Sequence, residues 1–219
     1  MDKWTNSDIF IINNLVEEDN ALTNALEVSR KNNLMEAEVS SAQGKFLYLL
    51  ARIKNAKRIL ELGTLGGYST IWLAQAVDDY GIVVTVEYVE NYAKVAKQNI
   101  ENAGLSNRVK IIQGDASDVL RNLIEEKTEP FDMIFIDADK PSYPLYLELS
   151  LKLSKSGTII YGDNVVRDGE LCNVTSTDEN VTGVQRFIKN LGKLDTVEST
   201  ALQTVGIKGY DGFTLSVVK

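Results

Sequence analysis

The residues best suited to chemistry fall in two short segments. FIDADK, ending at Lys140, places Asp137, Asp139 and Lys140 within one turn, and GDN places Asp163 and Asn164 side by side. Two carboxylates and an amide oxygen form an all-oxygen donor set with no soft ligand. That set suits a hard divalent cation, Mg²⁺, Ca²⁺ or Mn²⁺, with positions left open for water or substrate. The alternative is that Asp137 and Asp163 only cap helices or loops. Two like charges held close without a cation are costly, which favours the cation. Lys140, desolvated beside such an ion, would give up its proton easily and act as a base near neutral pH. Its alternatives are a solvated loop lysine or a counter-ion to Asp139.

A second constellation is ELGTLGGYS, residues 61–69. Glycines at 63, 66 and 67 allow a tight turn and close approach to a ligand, and a helix starting after them would present free N–H groups. Leu65 stands where the dinucleotide pattern G-x-G-x-x-G needs its second glycine, and the Glu61 carboxylate would repel a diphosphate. A ligand with a cationic centre fits better. Glu87 lies 20 residues past Gly67 (87 − 67) and ends the run IVVTVE, where a carboxylate can accept from ribose hydroxyls. Asp115-Ala116 follows the next apolar run. It is either the place where an adenine lies or the N-cap of a helix.

Composition narrows the chemistry further. The chain of 219 residues has no histidine and a single cysteine, Cys172. Ser-His-Asp hydrolysis, histidine bases and the usual zinc sites are therefore excluded, and so is an internal disulfide. A net charge of −8 opposes nonspecific binding to phosphate backbones. No window is long and apolar enough to span a membrane. The start, Met1-Asp2-Lys3-Trp4, lacks the basic-then-apolar pattern of a leader. A cytoplasmic protein is expected.

The elements that must position these groups follow from periodicity. Ile9, Ile12, Leu15, Val16, Leu22 and Leu26 predict helix within 7–28, and Phe46, Leu47, Leu50 and Ile53 predict one helix face within 40–54, with Ser40 and Gln43 as its capping box. From residue 57, apolar runs at 58–62, 82–87, 109–114, 131–137 and 157–163 alternate with helical stretches near 68–79, 90–103, 116–127 and 142–154. This predicts an α/β fold with a mostly parallel sheet covered by helices on both faces. Two further strands are expected near 196–203 and 212–218, with Asp211-Gly212 as a turn before the last. Phe213, Leu215 and Val217 would be its buried face. Ligands bind beyond the carboxyl ends of such strands. Glu61, Glu87, Asp115, Asp137 and Asp163 all stand there. The expectation is one domain over 1–219, with N-terminal helices in 1–56 and the core in 57–219.

SSAQGKFL, ILELGTLGGYSTIWLA, VVTVE, FIDADKPSY, GDNVV and a terminal GYDGF together resemble the cation-dependent, S-adenosylmethionine-dependent O-methyltransferases of the catechol and caffeoyl-CoA type. The likeness is greatest to the small bacterial catechol-type enzymes. It implies a Rossmann-like, seven-stranded methyltransferase sheet with its last strand antiparallel, a homodimer, and a catechol-like phenolic acceptor. It further implies that Val39, Glu61, Gly63, Thr64 and Ser69 hold the methionine end, Glu87 the ribose, and Asp115 with Ala116 the adenine. Asp137, Asp163 and Asn164 would bind the cation, with Asp137 also near the cofactor. Lys140 would be the proton acceptor. Asp211 would either lie near the acceptor or be a plain turn aspartate. The polar stretch 165–182 is expected as a loop over the site, with Cys172 an ordinary loop residue. Some relatives of this type modify a hydroxyuridine in tRNA. Here a basic run, Lys45, Arg52, Lys54, Lys57 and Arg58, alternates with apolar positions and reads better as a solvated helix face. A nicotinamide oxidoreductase is opposed by the glycine spacing and Glu61, and a noncatalytic binding protein by the intact Asp137, Lys140, Asp163 and Asn164.

Overall fold

The structure is a computed structural model describing residues 3–219. Met1 and Asp2, the first residues of the segment read for a leader, lie outside the described residues. Three helices come first: α1 (Lys3–Leu15), α2 (Asn20–Lys31) and α3 (Ser41–Lys54). The helical run expected within 7–28 is two helices. Asp19 restarts the chain as an N-cap, its Oδ1 accepting from the N–H groups of Ala21 and Leu22 at 3.0 Å. Helix α1 buries no residue fully. On α3 the buried face is Gly44, Leu47 and Ala51, while Phe46 and Ile53 are exposed. The reason is Gly44: a Cβ there would collide with the Trp72 indole, so the bare backbone sets which face packs inward.

Strands β1 (Arg58–Leu62), β2 (Ile82–Glu87), β3 (Val109–Gln113), β4 (Phe131–Ile136), β5 (Ser154–Gly162), β6 (Val197–Gly206) and β7 (Gly209–Val218) form one sheet in the order β3-β2-β1-β4-β5-β7-β6. The first five run parallel, and β7 is antiparallel to both β5 and β6. Helices α4 (Tyr68–Ala76), α5 (Glu90–Asn102), α6 (Ala116–Glu125), α7 (Tyr143–Lys152) and α8 (Glu179–Leu191) complete the chain. Alternate strand residues feed two cores. Ile59, Val83, Met133 and Tyr161 pack with α3 and α4, while Leu60, Val84, Ile134 and Ile160 pack with α6, α7 and α8. Successive strand side chains point to opposite faces, and this sheet is covered on both, so the strands read as continuous apolar runs.

Three expectations near the C-terminus are corrected. Asp211-Gly212 is not a turn. Both residues lie inside β7, and the chain reverses between Gly206 and Gly209, whose φ is +92°. A Cβ at Gly212 would meet the Leu202 carbonyl and Val166, so this glycine serves a close approach. Phe213 is buried and Leu215 packs against the core as expected, but Thr214 and Ser216 are buried as well and Val217 is exposed, because β7 is an interior strand covered on both faces and Val217 lies near its end. Ser216 satisfies its hydroxyl with Ser199 at 2.8 Å. Finally, the last four residues of the expected 165–182 loop open α8, capped by Asp178. Its Val181, Val184, Phe187 and Leu191 recur at helical spacing and are buried.

Candidate active site

The carboxyl ends of β1, β2, β3 and β4 open into one cavity of about 690 Å³. Val39, Gly63, Thr64, Ser69, Glu87, Asp115, Ala116, Asp137, Lys140 and Asn164 all line it. Ten of the residues singled out in the sequence thus share a single space. Glu61, Asp163 and Asp211 do not line it.

The glycine-rich turn is built around Glu87. Its Oε2 accepts from the backbone N–H groups of Thr64 (3.2 Å) and Leu65 (2.8 Å), and its Oε1 from Val89 (2.8 Å). A carboxylate has about four acceptor positions, so one remains for a ligand hydroxyl. Leu65 sits at φ +50°, a conformation that side chains rarely adopt, and its N–H bond to Glu87 helps hold it there. Gly63, at φ +96°, lies against the Asp137 carbonyl so closely that a Cβ would collide with it. The turn and the Asp137 corner are therefore in direct backbone contact.

Glu61 is fully buried beneath the turn. It accepts from the hydroxyls of Ser69 (2.7 Å) and Thr70 (2.5 Å). Burial raises its carboxyl to about 7, partly offset by those hydroxyls and reinforced by the Asp137 charge. Such a group gains by facing a cation. Asp115 caps α6, its Oδ1 accepting from Ser117 (2.8 Å) and Asp118 (3.2 Å). It also lines the cavity, so capping and ligand proximity coexist at this residue.

At the next corner, Lys140 is only 7% exposed, and its Nζ donates to Asp137 Oδ1 at 2.9 Å and to the Tyr143 hydroxyl at 2.7 Å. Asp139 instead accepts from the Tyr146 hydroxyl. Lys140 is neither a solvated loop lysine nor a counter-ion to Asp139. Asp163 is 4% exposed. Burial, then the Asp137 charge, raises it to about 7, while the Lys140 charge acts in the opposite direction. Asp163 facing the Asp137 charge, with the Asn164 amide next in sequence, is a donor set of the kind a hard divalent cation takes. Asn164 adopts φ +53°, a region asparagine tolerates. Among the described residues, no group of three or more carboxylate, thiolate or imidazole side chains gathers as a metal centre. The donor set here is two carboxylates and an amide.

Asp211 is engaged in shaping the neighbouring loop. Its Oδ1 accepts from the backbone N–H groups of Val166 (2.9 Å), Arg167 (3.0 Å) and Gly212 (2.9 Å). Arg167, Asp168 and Gly169 all have positive φ, so this carboxylate braces an unfavourable backbone run. Cys172 is exposed.

Sequence reasoning missed Gln43, Tyr143 and α8. Ser40 Oγ accepts from the Gln43 N–H at 3.2 Å, as a cap should, but the Gln43 side chain does not return to Ser40. It donates to Asp163 Oδ2 at 2.7 Å and to the Tyr161 hydroxyl at 3.3 Å. Tyr143 appeared only as the last residue of FIDADKPSY and as a member of an expected helix, with no role assigned to it. Gly183 of α8 lies against the Lys140 carbonyl with no room for a Cβ.

Residues 13–218 match the family model described as O-methyltransferase. The chain belongs to the O-methyltransferase family. This O-methyltransferase is 49% identical over 212 residues to a catechol O-methyltransferase of Niastella koreensis, covering 97% of this chain and 96% of that one. It is 42% identical to a catechol O-methyltransferase of Mycobacterium tuberculosis, covering 97% and 94%. The fold superposes on the O-methyltransferase from Bacillus cereus, solved in complex with SAH, with a TM-score of 0.97, 51% identity and coverage of 99% and 98%. The sheet order of this O-methyltransferase accords with the Rossmann-like methyltransferase fold expected from its motifs. Among its described residues no helix is long and apolar enough to cross a membrane.

Proposed function

We propose that the protein transfers a methyl group from S-adenosylmethionine to a hydroxyl of a catechol-like small molecule, with a divalent cation held by Asp137, Asp163 and Asn164. The observation that carries this reading is the buried Lys140, paired with Asp137 on the wall of the cavity that also holds the glycine turn and Glu87. The Bacillus cereus relative bound to SAH and the relatives named for catechol support the donor and the acceptor class.

Glu87 offers its remaining acceptor position to a ribose hydroxyl. Val39, Gly63, Thr64 and Ser69 surround the methionine end, and Asp115 with Ala116 the adenine. The Glu61 charge beneath the turn favours a cationic sulfonium donor. Lys140 and Asn164 face the acceptor, and Asp211 shapes the loop beside it. A divalent cation bound there, Mg²⁺ foremost with Ca²⁺ or Mn²⁺ as substitutes, would lower the acceptor hydroxyl pKa and hold two adjacent oxygens in one orientation. Lys140, as the free amine, takes the hydroxyl proton and becomes an ammonium beside Asp137. The acceptor oxygen then forms a bond to the methyl carbon as the carbon–sulfur bond breaks, leaving a methyl ether and a neutral thioether. Orientation by the residues around the cavity supplies much of the rate.

The deciding experiment is transfer from labelled S-adenosylmethionine to catechol and to phenol, with added Mg²⁺ or with EDTA. Rapid transfer to catechol, dependent on Mg²⁺, is expected. Full activity in EDTA would remove the cation, and equal rates on phenol would remove the adjacent-hydroxyl requirement. Bulk tRNA serves as the control acceptor, disfavoured by the net charge of −8.

The same reading includes a cytoplasmic homodimer. Helix α1 lies against α3 and β6, and all three carry exposed apolar side chains: Phe10 and Leu15, Leu49 and Ile53, Leu202 and Val205. Exposed apolar side chains on adjoining elements are what a second copy would cover. Light scattering giving a monomer mass would count against it.

A further inference from the structure

We propose that Tyr143 is the positioning residue that aims the Lys140 amine at the acceptor oxygen. The inference rests on Lys140 being the base. The Tyr143 ring is fully buried, packed edge-on against Phe187 with ring centroids 5.3 Å apart. Its hydroxyl oxygen lies 2.9 Å from the Ile136 carbonyl, 3.0 Å from the Asp163 carbonyl and 2.7 Å from Lys140 Nζ.

The proton count is decisive. A phenol has one proton, and both carbonyls are acceptors only, so that proton is committed to them. The phenol oxygen can then only accept from Lys140. The Lys140 Nζ has three positions beyond its own carbon. One N–H goes to Asp137 Oδ1 at 2.9 Å and another to Tyr143 at 2.7 Å. Two of the three directions are thus fixed by protein acceptors, and the third is the one that can face the acceptor oxygen. The same phenol ties the ends of β4 and β5, so the corner carrying Asp137 and the corner carrying Asp163 are kept in register with the amine.

The test is a double-mutant cycle of Tyr143→Phe and Lys140→Ala, with kcat and KM measured on catechol and Mg²⁺, and SAH binding and Tm measured in parallel. Tyr143→Phe is expected to lower kcat about 10- to 100-fold, within what a misplaced general base costs. KM for S-adenosylmethionine and SAH affinity should stay within about twofold. In the Lys140→Ala background the same substitution should have no further effect on kcat. Equal losses in both backgrounds would show a merely structural role and overturn the proposal, as would an unchanged kcat in Tyr143→Phe alone. Normal turnover of Lys140→Ala would instead refute the base itself, and the proposal with it. If Tyr143→Phe does not fold, 3-fluorotyrosine at position 143 keeps the hydroxyl but weakens it as an acceptor. A fall in kcat that disappears in Lys140→Ala then supports the proposal, and a fall that persists there overturns it.

Discussion

Gln43 and Asp163, 120 residues apart in the chain, are joined by a 2.7 Å hydrogen bond from the amide Nε2 to the carboxylate Oδ2. The bond carries the first turn of α3 onto the end of β5. It ties the N-terminal helices to the carboxyl end of the sheet, where the proposed cation site lies. Asp163 has almost no contact with solvent, and the amide fixes which way its carboxylate faces.

Replacing Gln43 should therefore act on the cation more than on the cofactor. Groups that orient a metal-binding carboxylate are worth roughly 10- to 100-fold in metal affinity. Gln43→Ala should raise the Mg²⁺ concentration for half-maximal activity by about tenfold, while calorimetric SAH affinity changes little. Unchanged Mg²⁺ dependence would show that Asp163 needs no such orientation.

Glu61 sets a pH dependence of stability. Its carboxyl rises from an ordinary 4.5 to about 7 on folding, so between those values the folded chain holds a proton the unfolded chain has released. The contribution favours folding below about 4.5 and is lost as pH rises through about 7. Glu61→Gln keeps an acceptor for Ser69 and Thr70 without the charge. Its Tm should match the parent near pH 5 and exceed it at pH 8, by roughly 2–4 °C for each kcal/mol recovered. Affinity for S-adenosylmethionine should fall over the same range. A Tm difference that ignores pH would contradict the buried-charge account.

Gly63→Ala tests the seam between the turn and the Asp137 corner. The residue has φ +96° and its missing Cβ faces the Asp137 carbonyl. Left-handed backbone alone costs a non-glycine residue about 1–2 kcal/mol, and the collision adds to that. A fall in Tm of at least about 5 °C is expected, with loss of both SAH binding and Mg²⁺ response. If only one of the two is lost, the turn and the carboxylate corner move independently.

Asp211→Ala removes the acceptor shared by the backbone N–H groups of Val166, Arg167 and Gly212, at the start of the positive-φ run Arg167, Asp168 and Gly169. The loop from Val166 to Gly169 should relax. KM for catechol should rise several-fold while KM for S-adenosylmethionine is unchanged. Asp211→Asn retains an acceptor oxygen and should recover most of the loss. If asparagine behaves like alanine, the negative charge matters and bracing does not explain the residue.

How much of this was legible beforehand depended on whether the signal was local. The strands and α4 to α7 follow from short apolar runs alternating with amphipathic stretches, and each came within a few residues of its expected bounds. The break before Asp19 passed unnoticed because apolar spacing continues across it. The spacing of Val181, Val184, Phe187 and Leu191 in α8 was present but masked by the polar stretch before it. The reversal at Gly206 to Gly209 lost out to the more familiar Asp211-Gly212 pair.

By itself the sequence determined the α/β class and the row of acidic groups at the strand ends, because side-chain periodicity and the chain's left-handed glycine turns are local properties of neighbouring residues. Only the tertiary structure decided that Gln43 turns to Asp163, that Tyr143 holds Lys140, and that Asp211 braces a loop. Each of those is a hydrogen bond to a donor or acceptor brought near by packing. Which of several polar groups a buried side chain finds depends on the register of distant elements, and no spacing within one segment encodes that.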